Sequence, residues 1–160
     1  MKELTKSQLE NILKKKGLDS RISWFYIQFK NKYEEEFVID DINLERAVND
    51  FVNILDKNKI KEVLFFQEPS SKFNDSGDLL APNALLETKE LKEFLKKNID
   101  TSTNTHLADK DLKWIFTITH EDDFFISGDK KFVNNFISFF KDAKCTPLKE
   151  IEAKWKEKAK

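Results

Sequence analysis

The sequence predicts an α+β fold: an antiparallel or mixed sheet of four to five short, hairpin-linked strands covered by about five helices. Three observations carry this. Leu44, Ala47, Val48, Phe51, Val52 and Leu55 recur at the spacing of one helical face. Several short runs are rich in aromatic and β-branched residues and end at turn formers. The order strand, strand, helix occurs over 22–57 and again over 112–141, without a residue-level repeat.

The elements follow in order. Thr5 and Gln8 make a capping box for a first helix, with Leu4 placed to staple onto Leu9. Leu9, Ile12 and Leu13 form its buried stripe, Lys14–Lys16 suit its C-terminal dipole, and Gly17 can end it. Residues 22–30, ISWFYIQFK, fit either a helical stripe or a strand; aromatic and β-branched enrichment favours a strand. Asn31 and Lys32 would turn it into a second strand at 33–39. Asn43 caps the helix that carries the 44–55 stripe. KEVLFFQEP, 61–69, reads as a buried strand stopped by Pro69; lying between helices, it admits a right-handed crossover into the sheet.

Residues 70–83 form a loop rich in Ser, Asn, Asp, Gly and Pro. A helix from Asn83 or Thr88 turns Leu91, Phe94 and Leu95 inward, and 98–111 is a second polar loop. LKWIFTITH, 112–120, and FFIS, 124–127, pair as a hairpin. Asp129 caps a helix with Phe132, Val133, Phe136, Ile137 and Phe140 on one face. Thr146 as N-cap and Pro147 at the first position open a last helix, whose thin stripe is Leu148, Ile151 and Trp155, and whose tail 156–160 frays. A large aromatic on so thin a stripe wants a groove, first in the parent domain and otherwise on a partner.

Bulk properties narrow the function. At 160 residues the chain is expected to be one domain, 1–160, with a core that needs neither disulfide nor metal. A net charge of -1 lacks the basic surplus of a generic nucleic-acid binder. Cys145 is alone, and with two His residues it cannot complete a closed zinc site unaided. The N-terminal stretch has no apolar signal core, and no apolar run approaches a membrane span. The expectation is a soluble, cytoplasmic protein with no cofactor.

The chemistry-bearing residues fall in two places. Residues 33–50 are strongly acidic, with Glu34, Glu35, Glu36, Asp40 and Asp41 as candidate contacts for a basic partner. His120, Glu121, Asp122 and Asp123 form a polar knot between two apolar strands. As a metal site, the knot has consecutive ligands that converge poorly on one ion. As a hydrolytic site, with His120 as general base, it has no recognisable nucleophile elbow. As a hairpin tip it can contact a partner, as the acidic stretch can. The 22–30 aromatics offer an RNA-stacking alternative, which Glu34–Glu36 across the turn would oppose by repelling phosphates. The resulting expectation is a non-catalytic cytosolic binding protein acting by surface contact with a protein partner of basic character. One version is an immunity-type protein that neutralises a toxin or enzyme. A hydrolase using His120 and an RNA-contacting domain are the alternatives.

Overall fold

The computed structural model describes residues 1–19, 32–67, 83–98, 104–119, 123–140 and 143–159. The expected strand at 22–30 and the 70–82 loop lie outside the described residues, as do His120, Glu121 and Asp122.

The described residues form an α+β fold with one antiparallel sheet of eight strands, in the order β1-β4-β3-β5-β6-β7-β2-β8. The strands are β1 (Lys2–Glu3), β2 (Glu35–Asp40), β3 (Glu62–Gln67), β4 (Ala84–Glu87), β5 (Thr105–Ala108), β6 (Trp114–Ile118), β7 (Phe124–Gly128) and β8 (Lys144–Pro147). The helices are α1 (Lys6–Lys15), α2 (Leu44–Lys57), α3 (Thr88–Asn98), α4 (Lys130–Ser138) and α5 (Leu148–Lys158).

The sheet is thus larger than the four to five strands expected, and the additions have a common cause. β1, β4, β5 and β8 are short, and each owes its extended form to a neighbour rather than to its own pattern. The 98–111 stretch, expected to be a polar loop, contains β5, all four residues of which are buried. Where a helix from Asn83 or Thr88 was expected, β4 comes first and α3 starts at Thr88. Thr146 is not an N-cap: it pairs with Val38 in β8, and α5 follows Pro147 with no side-chain cap. Its tail stays helical to Lys158.

Local signals fare better where the chain speaks for itself. The Thr5–Gln8 capping box is closed in both directions, at 3.1 and 2.9 Å. Asn43 and Asp129 accept hydrogen bonds from the Arg46 and Phe132 amides, each at 2.8 Å. α1 ends in a Schellman motif: Gly17 has φ 76°, its N–H donates to Lys14 O, and the Leu18 N–H donates to Leu13 O. Leu13 and Leu18 are both buried, which supplies the apolar contact that accompanies this motif.

The pairings fix the directions. β2 and β3 run parallel, separated by β7, β6 and β5, so α2 is a crossover between them. α3 likewise connects β4 to β5 and α4 connects β7 to β8, each crossing one strand. These three helices lie on one face and make the main core with Phe65, Leu107, Phe116, Phe124 and Ile126. Phe51 of α2 is at its centre, stacked on Phe116 at 4.7 Å and edge-on to Trp114 at 5.7 Å. The opposite face carries a smaller core, in which Leu9, Leu13 and Leu18 meet Leu64, Phe66, Ala108 and Ile115. A central strand buried on both faces cannot show the alternation of a half-exposed one, so β3, β5 and β6 are buried almost throughout.

Candidate functional site

The acidic stretch is divided by strand geometry. Side chains alternate along β2, so Phe37 and Ile39 join the helix-covered core while Glu36, Val38 and Asp40 face the other side. Glu34 is exposed just before the strand. Glu35 shares the face of Phe37, opposite to Glu36. Glu36 is half-buried, with its Oε1 screened from solvent. Burial first, then Asp109 and Glu36, raise the Tyr33 phenol well above its ordinary value. Glu34–Glu36 therefore do not make one acidic patch.

Asp40 and Asp41 lie at the other end of the strand. Glu36 and Asp40, the nearest members of the two acidic groups, are four residues apart, about 13 Å along β2. The β2–β7 ladder ends at the pair Ile39–Phe124, so Asp40 and Asp123 each lie one residue past it, at the same end of the sheet. Asp41 is exposed and adopts φ 64° as the chain turns towards α2. Asp123 is half-buried and closes the β6–β7 hairpin. Its carbonyl accepts the Thr119 N–H at 2.9 Å, and its own N–H donates to Thr119 Oγ1 at 3.0 Å. One end of the sheet thus gathers Asp40, Asp41 and Asp123, three of the nine expected contacts, with Lys144 across from Asp40.

Cys145 is half-buried beside this end. Burial and then Asp40 push its thiol up, which keeps the sulfur protonated at neutral pH. Its Sγ lies 4.0 Å from Phe140 O, a weak donor contact.

A feature the sequence reading missed lies deeper. His106, placed in a loop by its polar neighbours, is fully buried in β5. Its Nδ1 lies 2.9 Å from Thr117 Oγ1 on β6, and its ring stacks on Phe66 at 4.9 Å. Burial lowers its pKa to about 3, so the imidazole is neutral at physiological pH. An imidazole beside a hydroxyl resembles a nucleophile and its base. This one is sealed within the sheet, and so weak a base accepts a proton poorly; the pair ties β5 to β6. On the opposite face of the sheet, Gln67 Nε2 donates to Thr105 Oγ1 at 3.2 Å and reaches Asn98 O at 3.4 Å. The short polar run Thr105-His106 between Asn104 and Leu107 held the only local hint of this layer.

Among the described residues, no three His, Cys, Asp or Glu side chains are placed to hold a metal ion, and no helix is long and apolar enough to cross a membrane. Trp155 has not found a groove in its own domain: it is 54% exposed on α5. Comparison with protein-family models, with curated proteins and with solved structures found no match.

Proposed function

We propose that this chain is a non-catalytic cytosolic binding protein that works by surface contact with a protein partner of basic character, as an immunity-type protein does in neutralising a toxin or enzyme. The observation that carries this reading is the gathering of Asp40, Asp41 and Asp123 at one end of the sheet, just past the last β2–β7 pair, with Asp40 held by β8 and Asp123 by Thr119. Carboxylates fixed on a rigid sheet present a preorganised field, which speeds encounter with a cationic surface and selects its orientation. Trp155 adds support: a half-exposed indole is the kind of side chain that supplies affinity once a partner covers it.

Association kinetics test the proposal. Immobilised protein captures the partner from source-cell lysate, and the purified pair is followed by stopped flow. Neutralising the three carboxylates, D40N/D41N/D123N, is expected to slow association about tenfold at low salt and to flatten its salt dependence. Trp155→Ala is expected to act mainly on dissociation. Association that is unchanged in the triple variant would remove the acidic end from the interface.

A further inference from the structure

β8 and α5 are lightly anchored. Neither core draws a buried side chain from residues 144–159, and of this stretch only the half-buried Cys145 packs against the main core. Thr146 is the one buried residue of β8, and Leu148 the one buried residue of α5. Residues 153–159 are exposed throughout. No side chain caps α5, and an 11-residue helix is too short to hold itself in water, so α5 depends on its seat against β2 and β8. β8 is an outer strand: among the described residues it pairs with β2 alone. It is four residues long, with exposed Lys144 at one end and Pro147 at the other, which makes it a poor template for further pairing. β2 beneath it is a good template, six residues long with Phe37, Val38 and Ile39 in succession.

We propose that residues 144–159 form one detachable guard, which opens transiently as a unit while the rest of the sheet stays folded, and which in its closed form covers the outer edge of β2. Two points make it a unit separate from the body. Both cores keep all their buried side chains when it leaves, so opening costs the body little packing. Its own two buried anchors, Thr146 and Leu148, flank Pro147, so strand and helix share one point of attachment and let go together. Opening carries Lys144 away from Asp40, takes Trp155 with it and bares the backbone of Phe37–Asp40. The device belongs to the unbound chain, so it does not depend on the acidic end being a contact surface.

Native-state hydrogen exchange of the full chain, followed amide by amide, tests this. The hydrogen-bonded amides of β8 and α5 are expected to share one level of protection, at least about 100-fold below that of β3, β5 and β6, and to respond only weakly to urea below the unfolding transition. Leu148→Ala is expected to lower protection in β8 and α5 by the same factor, about tenfold or more, and to leave β3, β5 and β6 unchanged. Ile151→Ala, at a half-buried position, is expected to give the same pattern with a smaller factor and serves should the first variant unfold throughout. β8 amides as well protected as those of β6 would overturn the proposal. So would a loss of protection confined to α5 in either variant, which is the mark of a fraying helix rather than of a strand and helix that move together.

Discussion

His106 and Thr117 face each other across β5 and β6, with Nδ1 and Oγ1 2.9 Å apart, both side chains shut off from water. The folded protein therefore holds an imidazole whose pKa is about 3, against an ordinary value of 6.5. Below the ordinary value the unfolded chain binds a proton that the folded chain refuses. The stability this group contributes is whole above pH 6.5 and is lost as pH falls towards 3. Between pH 6.5 and 5 the loss should be about 2 kcal/mol. Urea unfolding at the two values measures it, and His106→Phe should flatten the dependence. Thr117→Val, which leaves the buried Nδ1 without this partner, should cost about 1–3 kcal/mol at neutral pH.

Tyr33 reaches across the smaller core to donate its hydroxyl to Leu112 O at 2.7 Å. Leu112 is buried and sits at φ 57°, so its carbonyl is presented by a turn that an ordinary residue adopts at some cost. Tyr33→Phe keeps the ring and removes the donor. A loss of about 1–3 kcal/mol is expected, measured by chemical denaturation. Burial, Asp109 and Glu36 all resist ionisation of this phenol. Alkaline titration by ultraviolet absorbance should find it protonated until the fold opens. Stability linked to it is present below its ordinary value of 10.0 and falls as pH rises beyond that.

Gly128 lies opposite Trp114, and a Cβ added there would stand 2.7 Å from Trp114 Cβ and 3.1 Å from its Cα. Trp114 cannot retreat, because its ring is stacked on Phe132 at 4.6 Å. Gly128→Ala should therefore destabilise by about 1–3 kcal/mol through overpacking, read as a lowered thermal midpoint. Full stability in that variant would mean that β6 and β7 can separate at this end without penalty.

Lys59 offers a gain. α2 ends as α1 does: the Lys59 N–H donates to Asp56 O and the Ile60 N–H to Leu55 O, with Lys59 at φ 56°. α1 has Gly17 at the equivalent place. Lys59→Gly should stabilise by about 1 kcal/mol by relieving the left-handed conformation. Gly17→Ala should destabilise by a similar amount, about 1 kcal/mol. Differential scanning calorimetry of the pair would show shifts of opposite sign.

What was legible in the residues follows from how far each signal reaches. Asn43 and Asp129 announce their helices because a cap bonds to amides only three residues on. The 44–55 stripe announces a buried face because helical periodicity repeats within the segment itself. β5 has neither device. Thr105 and His106 are polar, and their burial is made tolerable by Gln67 on β3 and Thr117 on β6, residues distant in sequence. β8 was mistaken for a helix start because Thr146 and Pro147 suit that role locally; pairing with Val38 and Phe37 overrides it. The acidic run was legible as charge but not as surface. Whether neighbouring carboxylates act together depends on the pleat, which sends Glu35 and Glu36 to opposite faces, and on a register that leaves Asp40 and Asp123 one residue past the last β2–β7 pair.

By itself, then, the sequence determined the class of fold, the caps of α1, α2 and α4, the α2 face and the β6–β7 hairpin, all encoded by residues within a few positions of one another. Only the tertiary structure decided the number of strands, the burial of His106, the division of the acidic stretch and the exposure of Trp155. Those depend on which distant strands lie side by side, and a strand, unlike a helix, makes its hydrogen bonds to its neighbours rather than to itself.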